Sequence, residues 1–314
     1  MAHGRQAGFT LPEVAIMSFV MSALLVMIAQ SIASLSSVRS DHKQHANIGN
    51  VADRIARSVE RDVEYATRVF TNTPDDLAYL RATVIGQKLL VQGCRLPTLT
   101  NLGLFDHDPP ATPQTGCVVF LGTRGARISI TFNGTVDSER LVQSLVLVIY
   151  APIVGASGDR DLLRWVSRPM ASYWDIAEIT DPVQRADAIS RLYDSGVRIA
   201  WDPDQPRNTG LFELQQGGAM VPLLPTALLP GSEDVQLSRL LLQRNMRVAP
   251  NGNLPGIQVP EFADVVGAFP GGVEVKVDGA GKGRLLLFRL VIDSTQKQLR
   301  HVFSEVRRLI NTDC

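Results

Sequence analysis

Cysteine is scarce in this chain of 314 residues: Cys94, Cys117 and Cys314 are all there are. No two of them form a CxxC pair, and the five histidines fall in no zinc-ligand spacing, so a structural zinc module or a CxxC redox motif is excluded. Net charge is absent as well, with 31 basic against 31 acidic residues. A protein devoted to a polyanion normally carries a clustered basic excess, and nucleic acid is therefore not indicated as a partner. The most telling absence is local. From Val14 to Val38 there is no charge, no glycine and no proline.

That uncharged run is about 25 residues long, and roughly 20 apolar residues suffice to span a bilayer as a helix. It is longer than the apolar core of an ordinary secretory signal, and the serines near its end (Ser31, Ser34, Ser36, Ser37) make no small-x-small cleavage site. Arg5 precedes the run and Arg39 and Lys43 follow it, so the distribution of basic residues gives no orientation. Glu13 sits at the start of the run. A carboxylate near the centre of a membrane helix costs about 2.5–3.5 kcal/mol, and less towards the edge.

The string Gly8-Phe9-Thr10-Leu11-Pro12-Glu13-Val14, behind a short polar leader and ahead of the long uncharged run, resembles the class III signal of type IV prepilins and type II secretion pseudopilins. The resemblance implies cleavage by a prepilin peptidase between Gly8 and Phe9 and N-methylation of Phe9. It implies that Glu13 is the assembly glutamate, forming a salt bridge with the Phe9 ammonium of a neighbouring subunit. It also implies the partners: the prepilin peptidase, other pilin or pseudopilin subunits, the inner-membrane assembly platform and membrane lipid. The leader, residues 1–8, would stay cytoplasmic. The chain would be a single-pass protein of the bacterial inner membrane with its head in the periplasm, before entering a filament. Pro12 falls in the first helical turn, where a missing N–H costs little.

No helix breaker follows until Gly49, and beyond Arg39 the chain turns amphipathic. Ile48, Val51, Ile55, Val59, Val63, Ala66 and Phe70 recur at spacings of three and four, one stripe of a helix. A helix over residues 9–70 would be on the order of 90 Å long at about 1.5 Å per residue. The first half suits lipid or a filament core, and the second suits packing on a head. The expected organisation is leader 1–8, spine 9–70 with its transmembrane part over about 14–38, and an α+β head over 71–314.

In the head, strands are expected over Thr83–Val91, Cys117–Leu121, Ala126–Phe132, Leu141–Tyr150, Val273–Val277 and Arg284–Ile292, the last two as a hairpin around DGAGKG. A helix is expected from the Asp181-Pro182 start to Gly196, and another over Asp234–Arg247. The amphipathic stretch Ser294–Ile310 is read as a further helix, and Trp201–Pro260 as an excursion from the sheet. The fold class is thus α+β, an N-terminal helical spine packed on one antiparallel sheet. The head exceeds that of typical major pilins, which by resemblance favours a minor pilin or minor pseudopilin.

The segment between Cys94 and Cys117 is loop-like, and closing about 20 residues is worth roughly 3–4 kcal/mol, so a Cys94–Cys117 disulfide is expected. Cys314 paired with either, or three ordinary thiols, are the alternatives. Candidates for chemistry are few. His107 and His301 lie in no triad or metal motif, His42 and His45 suit a solvated helix face, and Asp106-His107-Asp108 lacks the ligands of a calcium loop. Asn133-Gly134-Thr135 matches a glycosylation sequon but also reads as a turn. The expectation is a structural subunit without catalytic residues, metal or cofactor. The rival is a periplasmic enzyme or ligand-binding module on a pilin-type anchor, which would need a convergent polar pocket in the head.

Overall fold

A computed structural model of the chain describes residues 10–81, 84–91, 93–97, 99–100, 119–132, 138–154, 159–200, 212–214, 216–217, 219–222, 235–249, 273–278, 285–295 and 300–308. The chain divides into two compact units, Met1–Gly49 and Asn50–Cys314. Helix α1 (Leu11–Glu64, 54 residues) runs through the boundary between them. It is followed by β1 (Ala66–Val69), α2 (Pro74–Arg81), α3 (Val84–Val91), β2 (Leu99–Thr100), β3 (Val119–Phe132), β4 (Ser138–Val154), β5 (Arg160–Ser167) and β6 (Met170–Ser172). Then come α4 (Tyr173–Ala177), α5 (Pro182–Asp194), β7 (Arg198–Ala200), β8 (Phe212–Leu214), β9 (Met220–Pro222), β10 (Val235–Leu240), β11 (Met246–Val248), β12 (Val273–Asp278), β13 (Leu285–Ser294) and β14 (Arg300–Arg308).

The class is α+β: a long apolar N-terminal helix, then sheets and a few short helices. The strands form two sheets where one was expected. The first has nine strands in the order β1-β3-β4-β6-β7-β8-β9, with β5 and β10 branching from β4. Strand β4 supports the branch by its length. It pairs with β3 from Ser138 to Tyr150 on one edge, and on the other with β6 at Ser144 and Leu145 and with β5 from Val148 to Val154. The second sheet has five strands, with β13 holding β14 along one edge and β12 and β11 along the other. Both are mainly antiparallel, but β6–β7 and β2–β12 are parallel.

Side chains alternate between the faces of a strand, and β4 and β5 use both. Leu147, Ile149 and Ala151 of β4, with Leu163 and Trp165 of β5, form one core with Phe70, Leu80 of α2 and Leu89 of α3. Tyr150 and Arg164, in the opposite phase, meet the C-terminal part of α1. A second core surrounds α5, where Ala188, Ile189 and Leu192 pack with Ile130, Val142 and Ile199.

The amphipathic stripe is buried at every position named from the sequence: Ile48, Val51, Ile55, Val59, Val63, Ala66 and Phe70 are each at most 1% exposed. Its last two members are not helical, however. The helix ends at Glu64, and Ala66–Val69 leave it to pair with β3. Helix α5 starts and stops as expected. Asp181 caps it by accepting a 2.9 Å bond from the Val183 N–H, Pro182 takes the first position, and Gly196 follows at φ +74°, a conformation glycine adopts without steric penalty.

Three expectations are corrected. Thr83–Val91 was expected as a strand, but Val84–Val91 is helical. The helix expected over Asp234–Arg247 is instead β10, paired with β5, and β11, paired with β13, so this part of the excursion belongs to the sheets. The helix expected over Ser294–Ile310 is instead β14, paired with β13 from Arg300 to Arg308.

Candidate functional site

Two places combine unusual chemistry with defined geometry: the start of α1, and the seam between its last turns and the nine-stranded sheet. Gly8 and Phe9, the residues of the expected cleavage, lie outside the described residues. Glu13 is described. Its Oε2 accepts from the Thr10 N–H at 2.8 Å and from the Thr10 hydroxyl at 2.9 Å, while the Val14 N–H donates to the Thr10 carbonyl at 3.1 Å. This is the glutamate half of a capping box, a side chain at the third helical position reaching back to the N-cap amide. The carboxylate also lies at the helix end favoured for negative charge. Thr10 is not among the residues singled out above, although its T-x-x-E spacing with Glu13 displays the role.

Every residue from 10 to 40 is exposed. Between Val14 and Val38 the surface is uncharged and mainly apolar, and Leu11, Phe19 and Leu35 are the most exposed of the large apolar side chains. The helix contains a window long and apolar enough to cross a membrane. Two of its serines bond back to the helix: Ser22 donates to the Ser18 carbonyl at 2.7 Å and Ser37 to the Ser34 carbonyl at 2.8 Å. Each of these two bonds satisfies its hydroxyl proton within the helix, as a lipid-facing helix favours.

At the seam, Asp62 and Arg164 form a buried ion pair. The Arg164 Nε–H donates to Asp62 Oδ2 at 2.8 Å and an Nη2–H to Oδ1 at 2.9 Å, the two-pronged geometry that makes arginine–carboxylate pairs strong. The Tyr150 hydroxyl donates to Asp62 Oδ2. It also lies 3.0 Å from the Ser58 hydroxyl and accepts from Arg164 Nε at 3.1 Å. Tyr150 and Arg164 are direct cross-strand partners, which brings the guanidinium 5.9 Å from the tyrosine ring centroid. Burial pushes the Tyr150 hydroxyl pKa up, and the Asp62 charge pushes it further. Burial opposes the Arg164 charge, but its bonds to Asp62 and Tyr150 outweigh that and raise its pKa. No feature of the sequence pairs Asp62 with Arg164, which lies far along the chain in another element.

Elsewhere the polar groups serve the fold. Asp76, 2% exposed, takes a 2.6 Å ion pair from Arg68 and bonds from the Thr71 amide and hydroxyl. Asp161 and Asp175 are half-buried, and burial raises both their pKa values against the bonds they accept from main-chain N–H groups. Cys94 is a buried free thiol, raised by burial to about 11, with Sγ 3.8 Å from the Pro152 carbonyl. Cys117, its expected disulfide partner, and Cys314 lie outside the described residues, as do His107 and Asn133. His42 and His45 are exposed on α1. Among the described residues no group of three or more His, Cys, Asp and Glu could hold a metal ion. Compared with models of known families, with curated proteins and with solved structures, the chain matches none.

Proposed function

We propose that the chain is a structural subunit of a filament of the type IV pilus or type II secretion pseudopilus kind. A prepilin peptidase would remove residues 1–8, and Phe9 would be N-methylated. The chain would then sit in the bacterial inner membrane with Asn50–Cys314 in the periplasm until the assembly platform draws it into the filament. The observation that carries this reading is one continuous helix in two halves. Residues 14–38 are exposed, uncharged and mainly apolar, and the later turns bury one face. An apolar surface of that kind needs lipid or other helices around it. A filament subunit uses both in turn.

Glu13 would exchange partners in the process. In the single chain its carboxylate is held by Thr10. In the filament it would face the new ammonium group of a neighbour's Phe9, where either charge left alone is heavily penalised. Intact-mass and peptide analysis of the protein from cells with an active prepilin peptidase tests the reading. The expected mature N-terminus is methylated Phe9, and recovery of an unprocessed Met1 start would reject it.

A further inference from the structure

The last turns of α1 carry two parallel rows with very different information content. Val51, Ile55, Val59 and Val63 are spaced by four, all β-branched and all buried. Sliding the helix by one turn, about 5.4 Å, would replace three of the four by a near copy, the fourth place falling to Asn47 or Thr67. Apolar burial therefore says little about where along the sheet the helix should stop. The adjacent row, also spaced by four, is Arg54, Ser58 and Asp62, and no two of its members are alike. Each is tied to a different point of the seam. Arg54 Nη2 donates to the Leu241 carbonyl at 3.5 Å, Ser58 meets the Tyr150 hydroxyl at 3.0 Å and Arg239 Nη2 at 3.4 Å, and Asp62 holds Arg164.

We propose that this polar row is a register lock that acts with the β1–β3 pairing directly after the helix and selects the axial position of helix residues 50–64 on strands β4, β5 and β10. A one-turn slip in one direction would put Ser58 opposite Arg164, leaving a buried guanidinium without its counter-charge, and would bring Arg54 to the place of Ser58 beside Arg239. A slip in the other direction would carry Asp62 to the place of Ser58 beside Arg239 and again leave Arg164 without its counter-charge. Each wrong register is penalised electrostatically although most of the apolar row would accept it. Polar groups inside apolar interfaces have this use in coiled coils, where one buried polar residue selects the register at some cost in stability. The inference concerns the single chain and stands apart from the filament reading.

The test uses the full chain in detergent micelles, with spin labels on genetically encoded keto side chains at Arg57 and Arg244, both exposed, and the distance distribution between them as readout. The unaltered chain should give one narrow distance. The paired swap Asp62→Leu/Arg164→Met removes the lock without leaving a lone charge. It should keep the folding equilibrium within about tenfold of the original, since well-packed apolar replacements of buried ion pairs are often neutral, but add a second distance from a helix displaced by about 5 Å, one turn. Arg164→Ala alone should lower the folding equilibrium on the order of a hundredfold, because the buried Asp62 then keeps only the Tyr150 hydroxyl and a 3.7 Å contact with the exposed Arg61. A single unshifted distance in the paired swap would overturn the proposal. If that swap does not fold, Arg164→Lys, which keeps the charge but not the two-pronged bond, decides in the same way. A second distance supports the lock and a single unshifted one overturns it.

Discussion

Asp175 shows how one side chain can carry a cost that nearby bonds only partly offset. Its carboxylate is half-buried, accepts from the Gln143 N–H at 3.0 Å and lies near both Glu178 and Arg140, and burial dominates, raising its pKa. A carboxyl group whose folded pKa is raised binds its proton more tightly in the folded state. Its contribution to stability therefore declines as pH climbs from about 4, the ordinary aspartate value, through the raised folded one. Asp175→Asn keeps a carbonyl to accept the Gln143 bond and removes the charge. The variant should be at least as stable as the original at pH 7, with a flatter dependence of the urea midpoint between pH 4 and pH 7. A midpoint at pH 7 well below the original would contradict this. Residue-scale partnerships of this kind were the least legible in the sequence. Thr10 and Glu13 stand three apart, so their bond could be read from spacing. Asp62 and Arg164 meet only because β5 places Arg164 opposite Tyr150 beneath the helix, and nothing local to either residue announces it.

At the scale of elements, legibility followed the length of the pattern. The stripe from Ile48 to Phe70 repeats often enough to fix a buried face, and Asp181-Pro182 with Gly196 frames α5 by its own cap chemistry. Short apolar runs fared worse. Val84–Val91 is apolar enough for a strand, yet it forms a helix that buries Leu89 in the same core as Leu80, and periodicity cannot separate the two at that length. Residues 235–240 and 300–308 contain good helix formers, but pairing with β5 and β13 prevails, as tertiary context often does over propensity. Strand β3 illustrates a further constraint. Its register with β4 shifts between Arg124 and Arg127, and at Gly125 an added Cβ would crowd the Ser144 hydroxyl and come 3.1 Å from Val146 Cγ2. Gly125→Ala should therefore destabilise the protein by about 1–2 kcal/mol, as overpacking does. Adding Ser144→Ala should recover part of that loss, a non-additive pair visible in chemical denaturation. Equal losses with and without the second change would show that the crowding is not at Ser144.

For the whole molecule, the α+β class and the two-part helix could be read from the sequence, because each rests on a long run of one kind of residue. The division of the strands into two sheets could not, since β2 and β12, or β5 and β10, find each other only in space. The proposed function makes its own demand at this scale. Glu13 has two roles to separate, the bond to Thr10 within the chain and the charge towards a neighbour. Glu13→Gln retains an acceptor for the Thr10 N–H but not the charge. It should be processed, remain in the membrane and leave the melting of Asn50–Cys314 unchanged. It should also enter filaments poorly, since loss of one partner of a buried ion pair costs about 3–5 kcal/mol. Co-purification with partner subunits measures the outcome, and full incorporation of the Gln variant would leave Glu13 as a helix cap alone.

The parallel pair between β2 and β12 joins Leu99 and Thr100 to Val277 and Asp278, and this sets an order of events in time. Strand β3 needs only β1, which precedes it, and β4, which follows it directly. The five-stranded sheet needs β12, β13 and β14, all near the C-terminus, to meet a strand made long before. Bringing such distant segments together is slow, because the loop between them must be closed before any contact repays it. If the chain crosses a membrane with its N-terminus held, residues 99–100 reach the far side early and wait there, unpaired on that edge, until nearly all of the protein has followed.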